Sequence, residues 1–439
     1  MAAGDAAGAE ACFRLALSLA PDFGEVLANL GLVRAQLGAL GEAESCYRQA
    51  IVLCPEVVQV SLILGALLLR LKRFDEAEAV NRRALQLAPD SPAAWSNMGA
   101  LLACTKREKD AELCYRTALA LDCHYAKARF NLSYILLRQG RLEEGWRCLE
   151  TRSGSTLLSR YFTCPRWHGQ ALAGSSIIIA FEGGYGDMIQ FCRYASVLKT
   201  MGAARVSVVC HPHLKTLFAT LAGADAVFSF EEEVSASQWD FWTPPMSLPH
   251  CCDTRLGTIP APIPYLAADP GKVAQWSPRL PAGRLRVGLA WKGNPLFEND
   301  DDRSLPSLDV LAPLFAVAGV HFISLQKGPG EEEALQAGAA WPVLALGHFF
   351  LDFADTAAVV ASLDLVICVD SAVAHLAGSL GTPCWVLLPD YRTDWRWLTE
   401  RTDSPWYPQR MRLFRQPAGG GWAPVVVAVQ EALGAWSMG

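Results

Sequence analysis

A 34-residue period runs through the first third of this 439-residue chain, from residue 1 to about residue 150. Three residue types recur in three separate registers of that period. The recurring positions are Ala16, Ala50, Ala84 and Ala118, then Pro21, Pro55 and Pro89, and finally Gly31, Gly65 and Gly99. Agreement between three registers over three or four copies predicts an array of paired helices. The small residues let neighbouring helices approach closely, and the prolines end each second helix.

The length and residue types of this period resemble the tetratricopeptide repeat. The positions that match its pattern one by one are Trp95, Met98, Gly99, Ala111, Tyr115 and Ala118. The segment from Ala9 to Pro21 supplies only the second helix of a pair, so the chain opens inside a repeat. We therefore predict an α-solenoid over residues 1–150.

Asparagines occupy one fixed position of this array, at Asn29, Asn97 and Asn131, and only Ile63 breaks the series. Amides at one position of successive first helices would line the concave face and hold an extended peptide backbone. The arrangement resembles the asparagine ladder of the protein O-GlcNAc transferases, which implies a protein or peptide partner on this face. The alternative is that these asparagines cap or pack locally within each repeat.

The helical period stops after residue 150, and Pro165, Trp167 and Gly169 indicate a linker over residues 151–174. Short β-branched strands then alternate with helices over residues 175–265 and again over 284–439, on either side of a proline-rich break. Two such Rossmann-like units resemble the GT-B arrangement of glycosyltransferases. The expected fold class is α + α/β, with a repeat solenoid, an acceptor-side domain and a nucleotide-sugar domain.

Composition limits the function classes. The longest apolar stretch, Val57–Leu71, contains polar residues, so we expect no transmembrane segment. A net charge of −6, with no long Lys/Arg stripe, argues against nucleic acid as a partner. The 14 cysteines include no Cys-x-x-Cys pair, which favours reduced buried thiols over a metal site. No signal peptide is evident at the start, and we expect a cytoplasmic protein.

A glycine-rich turn follows the first predicted strand and contains Gly183, Gly184 and Gly186. Helical spacing resumes directly after it, so the stretch predicts a strand, a tight turn and a helix start. Backbone N–H groups at a helix N-terminus suit an anion. The same turn projects Glu182 and Asp187 into the crevice at the carboxyl end of a parallel sheet. Both carboxylates are therefore candidate catalytic groups.

A second strand-to-helix junction gives the strongest local signal. Asp370 and Ser371 open a helix whose first-turn N–H groups, at Ala372 and Val373, would meet a diphosphate. His375 lies four residues after Ser371 on the same helical face. The segment resembles the motif (S/V)-D-(S/T)-x-x-A-H-L-A of the family 9 glycosyltransferases, the relatives of lipopolysaccharide heptosyltransferases. The resemblance implies that these residues bind a nucleotide sugar.

Four residues elsewhere in the last domain are further candidates for that ligand. Lys292 and Asn294 follow a strand and would reach donor phosphates, and Gln326 ends another strand beside the base pocket. The acidic run before Arg303 contains Asp-x-Asp, a pattern that holds Mn²⁺ or Mg²⁺ in metal-dependent transferases. We favour an exposed acidic turn with Arg303 near a phosphate, and expect no metal site.

Two further segments have alternative interpretations. Asp352 and its neighbours form either a helix cap or part of the cleft, and we favour the cap. Trp395, Trp397 and Trp406 belong either to a sugar site or to a docking core, and the sequence favours neither.

The resemblance implies an inverting, metal-independent transfer that uses a nucleotide-diphosphate sugar as co-substrate and no other cofactor. Asp187 is the expected base, with Glu182 second, while Lys292, Ser371 and His375 stabilise the leaving diphosphate. The repeats would recruit a polypeptide acceptor. Two alternatives remain: a scaffold whose transferase domain is inactive or binds nucleotide only, and a glycan or lipopolysaccharide sugar transferase.

Overall fold

The computed structural model describes residues 3–153, 158–233, 238–337 and 340–437. Residues 154–157 of the expected linker lie outside that part of the chain. The fold comprises two compact units, residues 1–135 and 136–439.

The first unit is a solenoid of antiparallel helices, as the 34-residue period predicts. Its helices are α1 (Ala3–Leu19), α2 (Gly24–Gln36), α3 (Leu40–Leu53), α4 (Val58–Arg70), α5 (Phe74–Leu87), α6 (Pro92–Cys104), α7 (Glu108–Leu121) and α8 (Ala126–Arg138), the last of which extends into the second unit.

The repeating glycines have a packing role in this solenoid. A Cβ atom added at Gly31 would lie 2.5 Å from Cε1 of Tyr47, and one added at Gly99 would lie 2.7 Å from Cε1 of Tyr115. Both tyrosines are buried between the helices of their repeat. Glycine therefore recurs because the ring of the second helix occupies the space that a side chain on the first would need.

The second unit begins earlier than the predicted boundary at residue 150. The indole of Trp146, 1% exposed, donates from Nε1 to the Thr254 carbonyl at 2.9 Å. Its ring meets Trp395 and Trp406 edge to face, at centroid distances of 5.2 and 6.2 Å. The helix that closes the repeat pattern therefore packs in the core of the second unit.

Two parallel sheets form the framework of the second unit. The first has four strands in the order β3-β2-β1-β4, and the second has six in the order β10-β9-β8-β5-β6-β7. The strands are β1 (Ser176–Ile179), β2 (Arg205–Cys210), β3 (Ala226–Ser229), β4 (Phe241–Thr243), β5 (Leu285–Ala290), β6 (Val320–Ser324), β7 (Val343–Ala345), β8 (Leu365–Val369), β9 (Cys384–Leu388) and β10 (Met411–Arg415).

Helices and 3₁₀ turns connect these strands. The helices are α9 (Leu142–Leu149), α10 (Tyr185–Phe191), α11 (Tyr194–Thr200), α12 (Lys215–Phe218), α13 (Leu248–Cys251), α14 (Pro270–Trp276), α15 (Asp300–Arg303), α16 (Glu331–Gln336), α17 (Phe353–Val360), α18 (Ala372–Leu380) and α19 (Ala423–Ser437). The segment Leu308–Ala316 is a 3₁₀ helix that contains Pro313. The final helix covers the second sheet, since Val425, Val429 and Leu433 join its core.

The predicted α + α/β class is confirmed, and the sequence pattern missed the strands β4, β7 and β10. Two of these, β4 and β7, have only three residues each, too few for a periodic signal. In the first sheet β2 and β4 lie on opposite sides of β1, and in the second sheet β6 and β8 lie on opposite sides of β5. Such switch points open a crevice at the carboxyl ends of the strands, where the candidate site residues lie.

Candidate active site

The turn after β1 is built to hold one carboxylate. Gly183 has φ +76°, a conformation that favours glycine, and a Cβ added there would lie 2.5 Å from Oδ2 of Asp187. The N–H of Gly184 donates to the same oxygen at 2.8 Å. The glycines therefore let the backbone fold directly onto Asp187 in the first turn of α10.

Arg396 is the main partner of Asp187 across the crevice. Its guanidinium contacts Oδ1 of Asp187 and also both oxygens of Asp394 at 3.1 Å. Gln190 of α10 accepts from Nε of Arg396. The Asp187 side chain keeps 26% of its surface exposed, while that of Arg396 keeps 9%. Arg396 thus links α10, which follows β1 of the first sheet, to the segment after β9 of the second sheet. It leaves one side of the Asp187 carboxylate open.

His375 lies in the contact between α10 and α18. A Cβ added at Gly186 would lie 3.0 Å from Cδ2 of His375, so this glycine is needed for the close approach. Nδ1 of the imidazole is 2.9 Å from the Tyr407 hydroxyl, and its ring stacks on Trp397. Burial, followed by the charges of Arg396 and a second arginine, holds the pKa of His375 well below its usual range.

The enclosure of His375 differs from the expected contact with a nucleotide sugar. His375 is 5% exposed, its ring stacks on Trp397, and its Nδ1 contacts the Tyr407 hydroxyl. A neutral, enclosed imidazole holds α18 against α10 and positions the helix. We therefore assign His375 a positioning role.

The N-terminus of α18 does present unused donors. Ser371 occupies the N-cap position in extended conformation, and its side chain makes no capping hydrogen bond. Its hydroxyl is buried without a hydrogen-bond partner. The N–H groups of Ala372 and Val373 belong to the first turn, which has no intrahelical acceptors. A buried orphan hydroxyl beside free helix N–H groups has the composition of an anion site.

Asp370 precedes these donors at the end of β8. Burial, and next the nearby charge of Asp394, raise the pKa of Asp370 to about 6, although Arg303 opposes the shift. At pH values near and below 6, Asp370 therefore places less negative charge at the α18 N-terminus than an ordinary aspartate would.

Lys292 and Gln326 are engaged within the protein. Nζ of Lys292 lies 2.5 Å from Oε1 of Glu333. Gln326, which is buried, accepts at Oε1 from the N–H groups of Trp291 and Lys292 and donates to the Lys292 carbonyl. Gln326 thus holds the loop after β5 and does not offer its amide to a base, contrary to the expected role.

Asn294 and Arg303 stabilise the following loop. Oδ1 of Asn294 accepts from the N–H of Leu296 at 3.0 Å. Arg303 donates from Nε to Asp300 at 2.9 Å and lies over the ring of Phe297. The acidic run therefore forms the short helix α15, which is tied together by its own arginine.

Glu182, the second candidate base, forms a buried ion pair. The guanidinium of Arg152 donates to its two carboxylate oxygens at 2.7 and 3.0 Å, and also to Ser247 at 2.6 Å. Both charged side chains are 6% exposed. This bidentate pairing gives Glu182 a structural role and leaves Asp187 as the carboxylate open to the crevice.

The remaining predictions divide between packing and capping. Asp352 caps α17, accepting from the N–H groups of Ala354 and Asp355, as we favoured. Trp395, Trp397 and Trp406 are all buried, which assigns them to the core.

The asparagines of the repeats differ from one another. Asn97 is buried, donates to the Leu62 carbonyl at 2.9 Å and accepts from Lys127 at 3.2 Å. Asn29 is exposed and Asn131 is half-buried. Asn97 therefore bonds to the neighbouring helices α4 and α8 and is engaged in packing, whereas Asn29 keeps a surface that a peptide can reach.

Sequence reasoning missed four residues of this region: Arg396, Asp394, Tyr407 and Glu333. Arg396 and Asp394 stood in a tryptophan-rich stretch without regular spacing. No local pattern links them to Asp187, because the ion pair joins residues 209 positions apart. A charged pair inside an aromatic stretch was the available signal, since such charges are seldom buried unless paired.

Comparison with known proteins agrees with the two resemblances. The tetratricopeptide-repeat family model matches residues 1–57, 41–92 and 109–145. The model of glycosyltransferase family 9 (heptosyltransferase) matches residues 329–387, a segment that includes Asp370, Ser371 and His375. The chain thus contains tetratricopeptide repeats and a segment that is similar to the family 9 glycosyltransferases, and this second match supports a glycosyltransferase.

Among curated proteins, the chain is similar to protein FlbA of Caulobacter vibrioides, with 29% identity over 333 residues. The match covers 70% of this chain and 55% of the relative, so the chain spans about half of that protein's length.

Two solved structures are similar to the chain over about a third of its length. A thermophilic repeat protein of Thermus thermophilus has 22% identity and a TM-score of 0.32, covering 36% of this chain and 89% of its own. MamA of Desulfovibrio magneticus has 19% identity and a TM-score of 0.31, covering 36% and 88%. In the part of the chain that the structure describes, no helix combines the length and apolar character needed to cross a membrane.

Proposed function

We propose that this protein is a glycosyltransferase that moves a sugar from a nucleotide-diphosphate donor to an acceptor hydroxyl. The observation that carries the proposal is the N-terminus of α18, where the buried Ser371 hydroxyl has no protein partner. A diphosphate oxygen is an acceptor of the kind that this hydroxyl and the N–H groups of Ala372 and Val373 require.

The reaction places the acceptor between this anion site and Asp187. Asp187 takes the proton of the acceptor hydroxyl as the oxygen attacks the anomeric carbon from the face opposite the leaving group. The bond between that carbon and the diphosphate oxygen breaks, and the diphosphate leaves with the electron pair. The configuration inverts, and no metal ion is required where helix N–H groups and Ser371 stabilise the departing charge.

The contact between α10 and α18 supports this division of roles. A Cβ added at Gly186 would lie 3.6 Å from the Cα of Ala372, so the two helix starts lie side by side. The carboxylate on one and the donors on the other therefore address neighbouring space. The acceptor is a protein, which the repeats recruit through the exposed position of Asn29.

Ser371→Ala tests the donor site without a stability penalty, because the hydroxyl makes no hydrogen bond that folding would lose. We expect binding of UDP, GDP, ADP or CDP to raise the melting temperature of the wild type. For the nucleotide that stabilises most, Ser371→Ala should weaken binding at least about tenfold, since a hydrogen bond to a charged group contributes about 1.5–3 kcal/mol. Ser379→Ala, deeper in the same helix, is the matched control.

Asp187→Asn tests the base. Turnover should fall by a factor of about 10²–10⁴, while nucleotide affinity stays unchanged. Retained turnover in this variant would assign the base elsewhere. If no nucleoside diphosphate stabilises the wild type, the alternative of a recruiting scaffold without transferase activity is favoured, because Lys292 is already neutralised by Glu333.

A further inference from the structure

Aromatic rings form a continuous cluster at the carboxyl ends of β1, β2 and β3. Tyr185 contacts His211 at a centroid distance of 4.4 Å and Phe353 at 4.8 Å. Phe181 meets His211 at 4.5 Å and Phe230 at 4.8 Å. His211 and Phe230 are also neighbours, at 5.6 Å. We call these five residues the ring cluster.

The ring cluster is open to solvent. Phe230 is 46% exposed, and Phe181, Tyr185, His211 and Phe353 are all half-buried. By contrast, Ile178 and Trp242 of the adjoining sheet core are buried, and Phe181 packs against that core. Exposed, mutually supported rings give a rigid apolar surface that loses little side-chain entropy when a ligand covers it.

The ring cluster adjoins Asp187. Tyr185 lies in the same first turn of α10 as Asp187, and His211 contacts the carbonyl of Gly183 at 3.2 Å. An acceptor hydroxyl held at the Asp187 carboxylate therefore places the rest of its molecule on or beside these rings.

The charge around the ring cluster limits the acceptor further. Burial lowers the pKa of His211, so its imidazole is neutral at pH 7. Residues 231–233, directly after Phe230, are all glutamates, and the nearby Lys215 is paired with Glu232. This surface attracts neither a phosphate nor a carboxylate.

We propose that Tyr185, His211 and Phe230 bind the acceptor, and that the acceptor is a neutral saccharide whose ring lies on them. The C–H bonds on one face of a pyranose are apolar and slightly positive, which suits the negative face of an aromatic ring. This inference rests on the proposed function and specifies its acceptor as a sugar carried by the recruited protein. A preceding glycosyl transfer must then supply that sugar, and this protein extends the glycan.

Saturation-transfer difference NMR tests the proposal with the full chain. The probes are the methyl β-glycosides of glucose, galactose and N-acetylglucosamine, together with a serine- and threonine-containing peptide. We expect difference signals from the ring protons of at least one glycoside. Tyr185→Ala and Phe230→Ala should each weaken its binding about 2- to 10-fold, the range expected for one aromatic contact. Tyr185→Phe should bind as the wild type does.

Tyr161→Ala is the matched control, because it removes an exposed tyrosine outside the ring cluster. Phe230→Ala keeps the test valid if Tyr185→Ala fails to fold, since Phe230 is the more exposed ring. Any of three results would overturn the proposal. These are signals from the peptide alone, no signal from any glycoside, and glycoside signals that are unchanged in both alanine variants. Nucleoside diphosphate binding measured in the same samples separates these results from failure of the transferase assignment.

Discussion

Arg152→Met is expected to destabilise the second unit strongly, because it removes the partner of a buried carboxylate. Arg152 donates to both oxygens of Glu182, to Ser247 at 2.6 Å and to Glu150 at 2.9 Å. In the variant, Glu182 keeps its burial and loses both charged hydrogen bonds. Breaking a buried ion pair from one side costs about 3–5 kcal/mol.

A second substitution identifies the cause. In Arg152→Met/Glu182→Met neither charge remains unpaired, so we expect the double variant to be more stable than Arg152→Met alone. Arg160→Met, the same change at an exposed arginine, should stay within about 0.5 kcal/mol of the wild type.

Urea unfolding followed by tryptophan fluorescence measures these differences. With a slope of about 3 kcal/mol per molar urea, the midpoint of the second unit should fall by about 1 M or more in Arg152→Met. Glu182→Gln should lower the midpoint as well, with turnover per folded molecule unchanged. If Glu182→Gln abolished turnover and left the midpoint in place, Glu182 would be a catalytic group and the structural assignment would be wrong.

Three further predictions concern the glycine turn, Asp370 and the last helix of the repeat pattern. Gly183→Ala should cost more stability and activity than Gly174→Ala. Both glycines have positive φ, so an alanine at either position carries about 1–2 kcal/mol of backbone strain. Only at Gly183 does the new Cβ also meet Asp187, at 2.5 Å. Urea midpoints and turnover of the two variants check this. Burial raises the pKa of Asp370 to about 6, so the folded protein holds this proton more tightly than the unfolded chain does. The resulting contribution to stability is complete below the ordinary pKa of an aspartate and is lost as the pH rises through about 6. Asp370→Asn should therefore gain stability relative to the wild type as the pH rises from about 5 to about 7.5, a range that brackets this pKa. Melting temperatures of both proteins at the two pH values measure the difference in stability. An equal difference at both values would refute this prediction. Trp146→Ala should destabilise the second unit by about 3–5 kcal/mol and leave the helical solenoid folded, as hydrogen exchange would report.

The pattern of the sequence determined the elements and their order. The 34-residue period predicted the solenoid, and β-branched runs between glycine turns and helical spacing predicted most strands of both sheets. Gly183 and Asp187 were placed correctly in one turn, and Asp370 and Ser371 at one helix start. These features are local: a helix, a turn or a cap depends on residues within a few positions of each other.

Only the tertiary structure decided which charges and rings meet. The pairs Asp187–Arg396, Lys292–Glu333 and Glu182–Arg152 each join segments that are far apart in the chain. Strand order and crossovers bring them together, and no periodicity encodes the partner of a given charge. The burial of His375 under Tyr407 and Trp397, and the hydrogen bonds of Asn97 to the neighbouring helices α4 and α8, follow from packing in the same way. Residue type and spacing predicted where chemistry is possible, whereas the enclosure of each side chain decided which groups remain open to a ligand.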